Sequence, residues 1–242
     1  MCTVTYLPVL NDGFIITSSR DEKTIRRRAL IPQTDLVGEQ LILYPKDAQG
    51  GGSWMAVSAT KTVCLLNGAF KPHQPQGNYK HSRGKVVLAV FKYDSLYQFV
   101  SQYDFKGLEP FTLLMVENGA LHELRWNGIR YYFKTLDSTL PHIWSSVTLY
   151  NQQVRSKRKK WFKQWLLTTD EYSVNAIRLF HKTAGKEDQA NSIVMNRNND
   201  VRTVSLTSII RKSHEVEMIY EDLLSQQTHQ TFLAETQQIP QV

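Results

Sequence analysis

The chain has 242 residues, a formal net charge of +7, 41% hydrophobic and 11% aromatic residues, and two cysteines. This composition fits one large or two small packed domains. It excludes a disulfide framework, and no apolar run is long enough to span a bilayer. The N-terminus lacks a basic region, and the Asn-Asp-Gly turn interrupts its apolar stretch early, so no signal peptide is read and a cytoplasmic protein is expected.

Residues 3–9 and 14–18 are rich in β-branched and aromatic side chains and flank Asn11-Asp12-Gly13, a hairpin signal. Residues 20–28 are charged and expected as a loop, and residues 41–44 form a short apolar run. The three glycines at 50–52 mark a turn or a close backbone approach. Residues 53–58 and 62–66 read as another hairpin, followed by a loop at 68–79 rich in Gly, Pro, Gln and Asn. Residues 82–93 and 95–103 fit helices. The Asn-Gly pairs at 118–119 and 127–128 join apolar runs at 111–117, 120–126 and 129–133 into an antiparallel meander. A strand at 143–149, helices at 151–168 and 172–183, and strands at 201–209 and 215–220 follow. Residues 225–242, rich in Gln and Thr, are expected to fray as a flexible tail. The order of elements predicts one α+β domain over residues 1–224, with antiparallel sheets covered by helices.

Cys2 stands next to the initiator methionine. Removal of Met1 would give it both a thiol and an α-amine, titrating near ~8.5 and ~7.7–8.0. The amine can then serve as the base for the thiol. A cation would lower the thiol pKa, and a carboxylate would hold the ammonium. Arg20 and Asp21 supply one of each, and hairpin pairing brings the end of the second strand beside the start of the first. The competing reading is a surface ion cluster of little energetic weight. Asn67, just past a strand, reads either as an oxyanion donor or as a turn residue before Gly68. Cys64 reads as a small buried hydrophobe. The histidines lack ligand spacing, so no metal is expected. The basic run at 155–165 reads as an amphipathic helix with Val154, Trp161, Phe162, Trp165 and Leu166 on one stripe and a solvated basic face. No recognised motif supports the alternative of nucleic-acid binding.

The segments "MCTVTYLP", "TSSRDE", "GGSWMAVS", "LLNGAF" and "SRGKVVLAVF" resemble the NRDE family, also called the transport and Golgi organisation protein 2 family. Several motifs in register over roughly the first 90 residues are far more specific than one. That family is similar to the N-terminal nucleophile hydrolases of the cysteine type. The resemblance implies a four-layer αββα sandwich and hydrolysis of a non-peptide amide through a thioester. It makes Cys2 the nucleophile, Asp21 the carboxylate on its amine, and Arg20 the signature arginine. Ser19 stands where the signature has Asn, and Ser146 where the related hydrolases place an oxyanion Asn. Gly51, Gly52 and Trp54 match the Gly-Gly-Thr-Trp motif, and its glycines would let a substrate approach closely. Arg83 follows Ser82, a candidate helix cap, and would hold an acidic substrate group or simply an Asp. Arg202 matches a late arginine loosely, and Trp54 and Phe70 would line an acyl pocket or serve as core. The implied ligand is a small amide or acyl molecule, with no cofactor, membrane or nucleic-acid partner. The alternative is a non-catalytic carrier of haem or an acyl lipid on the same scaffold.

Overall fold

The computed structural model describes residues 3–9, 13–212 and 215–233; Cys2 and the Asn11–Asp12 turn lie outside them. The expected first hairpin is there: β1 (Thr3–Val9) pairs antiparallel with β2 (Gly13–Lys23), Val9 opposite Gly13 and Thr3 opposite Ser19. β2 runs through Arg20 and Asp21, where a loop was expected. β3 (Leu30–Val37), which no local pattern announced, pairs with β4 (Gln40–Lys46). β5 (Met55–Val57) and β6 (Lys61–Asn67) form the second expected hairpin.

The first helical segment is α1 (Gly84–Ala89) followed by a 3-10 turn at Val90–Lys92. Its N-cap is Arg83, which makes no side-chain cap bond; Ser82, the expected cap, stands one residue earlier and its hydroxyl accepts from the Gly84 amide at 3.3 Å. α2 (Leu96–Gln102) is capped by Ser95, which accepts from the Gln98 amide. β7 (Phe111–Glu117) and β8 (Ala120–Trp126) match the predicted bounds. Asn118 and Gly119 between them have φ of 50° and 76°. Positive φ at both positions is what a two-residue hairpin turn requires. β9 (Tyr131–Leu136) completes the meander, and β10 (His142–Ser145) is short. α3 (Gln152–Thr168) is capped by Asn151, whose Oδ1 accepts from the Val154 amide at 3.0 Å. α4 (Val174–Thr183) is capped by Ser173. A two-residue β11 (Asn196–Arg197), β12 (Val201–Lys212), β13 (Glu215–Asp222) and β14 (Gln227–Leu233) follow. β14 corrects the expectation that the chain frays from Ser225: its alternate Thr and Gln side chains face outward while the backbone pairs with β13.

The strands make two antiparallel sheets, ordered β10-β1-β2-β12-β13-β14, with β11 on β12, and β3 to β9 in sequence order. The fold is therefore α+β and mostly strand. Val4, Tyr6, Phe14, Ile16 and Ile209 of the first sheet share one core with Ile42, Cys64 and Leu114 of the second. The opposite side of the first sheet packs Leu7, Ile15 and Ile210 against Phe162 of α3 and Ile177 and Phe180 of α4. Each fully buried side chain of this size contributes about 1.5–3 kcal/mol. Among the described residues no helix is long and apolar enough to cross a membrane.

Gly52 explains why two separated motifs occur together. A Cβ there would stand 2.2 Å from the Gly84 carbonyl carbon, and the Ser53 amide donates to the Gly84 carbonyl at 3.0 Å. Gly52 thus receives the start of α1. Gly52→Ala is expected to destabilise the protein by about 1–3 kcal/mol through overpacking against backbone. Chemical unfolding would check this, and an unchanged midpoint would contradict it.

Candidate functional site

Strand alternation sends the two residues of the Arg-Asp pair to opposite faces of β2. Asp21 faces the helices with Thr17 and Ser19. Its carboxylate is buried and accepts from the Tyr150 hydroxyl on one oxygen and the Thr203 hydroxyl on the other. Arg20 faces the second sheet. It is also buried, with its guanidinium 4.6 Å from the Trp54 ring centroid and ion pairs to Asp47 at 3.0 Å and Glu22 at 3.4 Å. Burial works to raise the Asp47 carboxyl, but the Gly50 amide, Arg20 and Arg26 outweigh it and leave the pKa below the usual carboxylate range.

The start of β1 is held from the helix side by Arg158. This residue sits in the middle of the basic run, yet it is fully buried. Its Nη1 donates to Thr3 Oγ1 at 2.6 Å, its Nε to the Asn191 carbonyl at 3.1 Å, and its Nη2 to the Ser192 carbonyl. Its guanidinium lies 3.6 Å from the Tyr150 ring centroid, and Arg197 approaches the same ring at 5.2 Å. One aromatic ring thus links the Asp21 carboxylate to the arginine that fixes Thr3. Beside them His181 of α4 is fully buried, with Nδ1 2.8 Å from Ser19 Oγ and Nε2 2.9 Å from Thr5 Oγ1. Burial first, then Arg178 and Arg158, push its pKa down to about 3, so the imidazole is neutral. Ser19, where the family signature has Asn, is therefore the partner of a histidine far away in sequence.

Thr3 pairs on its other side with Ser145. Ser145 lines a cleft of about 470 Å³ between the ends of the two sheets and the first turns of α3, and Asn67 and Gly68 line it too. Ser146 is buried, and its hydroxyl donates to the Asn67 carbonyl at 3.0 Å and pairs with Thr148 Oγ1 at 2.9 Å. A carbonyl can only accept, so the one Ser146 proton is directed at Asn67. These two residues, far apart in sequence, are locked together at the cleft wall.

The remaining predicted residues are spread out. Trp54 is buried under Arg20. Phe70 is 45% exposed and packs edge-on against Tyr132. Arg83 pairs with Glu109 at 3.0 Å, a glutamate where an aspartate was the alternative expected, and donates to the Pro110 carbonyl. Arg202 lies in β12 opposite Glu22. Cys64 is buried, and burial pushes its thiol up to about 12. Cys2 lies outside the described residues. Among those described, no group of three or more His, Cys, Asp or Glu is arranged to hold a metal. Tyr150, Thr203, Arg158, Asp47 and His181 are the residues the sequence reading missed. The one local sign was a tyrosine and an arginine close to the N-cap of a long helix.

Against known protein families, residues 1–241 match Transport and Golgi organisation 2, so the resemblance read from the first motifs holds over the whole chain. Among curated proteins none matches.

Proposed function

The chain belongs to the Transport and Golgi organisation 2 family, and we propose that it is an N-terminal-cysteine hydrolase acting on a non-peptide amide. After removal of Met1, the α-amine of Cys2 takes the thiol proton and the thiolate attacks the amide carbon. The carbon–nitrogen bond breaks as the new ammonium returns the proton to the leaving amine. Water then cleaves the thioester and releases the acid. The observation that supports this best is the buried Asp21 carboxylate, set by Tyr150 and Thr203, on the strand that pairs with Thr3. A carboxylate there, two residues past Ser19, suits an ammonium on the residue before Thr3. Arg20 supplies the cation for the thiolate. Asn67 donates to the oxyanion, and Ser146 positions Asn67 instead of donating itself. On this reading the two sheets and their outer helices are an αββα sandwich of the N-terminal nucleophile kind. The cleft beside Ser145 is the substrate site.

The test begins with intact mass of the protein from its own host, which reports whether Met1 is absent. Turnover is then measured on a panel of acyl p-nitroanilides of varied acyl length. Cys2→Ala is expected to abolish turnover with an unchanged unfolding midpoint. Undiminished turnover in that variant would rule out the mechanism, and a panel that no form hydrolyses would favour the carrier of an acyl ligand or haem.

A further inference from the structure

The cleft beside Ser145 has an unbalanced charge. Arg125, Lys134, Arg155 and Lys159 line it against one carboxylate, Glu123. Glu123 already has three partners among the described residues. Its Oε2 accepts from Arg125 at 2.8 Å and from the Trp144 indole at 2.9 Å, and its Oε1 pairs with Lys134 at 3.3 Å. Arg155 and Lys159 make no ion pair with any described residue. They stand four residues apart on α3, where two like charges repel.

The position of Arg155, the fourth residue of α3, adds a second cost. The first turn of α3 contains no acidic residue, and the N-terminal end of a helix already carries partial positive charge. Cations placed there oppose the helix dipole. Two neighbouring cations on the same helix have found answers inside the protein: Arg158 is buried among carbonyls, and Lys157 pairs with Asp188 at 3.3 Å. Arg155 and Lys159 have not. In addition, the Nε atoms of Arg155 and Arg125 are shut off from solvent without a hydrogen-bond partner among the described residues. A buried guanidinium N–H without an acceptor is costly. An oxyanion entering the cleft would answer the repulsion and the uncompensated positive charge of Arg155 and Lys159 together.

We propose that Arg155 and Lys159 bind an anionic oxygen group, a carboxylate or a phosphate, carried by the ligand of this cleft. The inference rests on the reading of the cleft as the substrate site of Cys2 and narrows the substrate class to an anionic amide. A neutral acyl chain would leave both cations as they are. A group with two or more anionic oxygens meets both side chains, the guanidinium by a paired contact and the ammonium as a point charge.

The test is calorimetric titration of the full chain with inorganic pyrophosphate and, separately, with glutarate. R155Q/K159Q is expected to weaken binding of the preferred probe by about tenfold or more, since each charged contact is of that order. K160Q/K163Q, which removes two exposed lysines outside the cleft, is expected to bind as the wild type does. The two substitutions in R155Q/K159Q relieve repulsion, so its unfolding midpoint should not fall. Tighter binding of pyrophosphate assigns a phosphate, and tighter binding of glutarate a carboxylate. No binding of either probe, or equal binding by R155Q/K159Q, overturns the inference. Alkylation of Cys2 is followed in the same samples and separates the two claims. A reactive Cys2 without anion binding strikes only this inference. Anion binding lost in R155Q/K159Q, with an unreactive Cys2, supports the anion site and strikes the hydrolase reading.

Discussion

Replacing Arg158 by alanine is expected to destabilise the protein by about 3–5 kcal/mol, among the largest effects of any single substitution. The side chain is fully buried and donates to Thr3 Oγ1, the Asn191 carbonyl and the Ser192 carbonyl while stacking on Tyr150. Alanine leaves these acceptors without a donor, each at about 1–3 kcal/mol, and opens a cavity under the Tyr150 ring. Arg158→Lys keeps the charge but cannot reproduce three donors in a planar fork, so it should recover less than half of the loss. Urea unfolding of the two variants measures both numbers. A loss under ~1 kcal/mol for alanine would show that water or a neighbour can take over the role.

The second large effect is acid destabilisation through His181. Its pKa in the folded protein is pushed down to about 3, against 6.5 for the exposed side chain. Between these values the unfolded chain binds a proton that the folded chain refuses. The stability present above pH 6.5 is therefore lost as pH falls toward 3, at up to ~1.4 kcal/mol per pH unit from this one group. His181→Gln isolates it from the titrating carboxylates. At pH 7.5 the variant should be less stable by about 1–3 kcal/mol, because Ser19 and Thr5 lose their shared partner. That gap should close by about 1.4 kcal/mol per unit between pH 6 and 4.5. A constant gap over this range would mean that the buried imidazole is reached by solvent before the protein unfolds.

The elements legible in the sequence were those with local causes. β7 and β8 had their bounds marked by Asn118–Gly119, a pair that tolerates positive φ. The N-terminus of α3 was marked by Asn151. β3 escaped because it is an edge strand whose residues are mostly exposed or half-buried, so its pattern lacks a continuous apolar face. The end of β2 escaped for a different reason. Arg20 and Asp21 are buried charges whose partners Asp47, Tyr150 and Thr203 lie 27, 129 and 182 residues away. A charged tetrapeptide looks like a loop until those partners are in place. The candidate site shows the same division. The hairpin argument put Arg20 and Asp21 beside the start of β1, where Thr3 now stands opposite Ser19. Nothing local signals that Arg158, inside a run of solvated cations, would be enclosed, because its acceptors Asn191 and Ser192 arrive from beyond α4.

The separation of Arg20 and Asp21 onto opposite faces of β2 makes their order matter as much as their identity. Exchanging the two would preserve composition, net charge and strand propensity. Yet it would set a carboxylate against the π face of Trp54 and the like charge of Asp47, and a guanidinium beside Arg158. The dipeptide is a vector across the sheet, negative toward the helices and positive toward the second sheet. A scoring scheme that treats neighbouring positions independently has no way to represent that polarity.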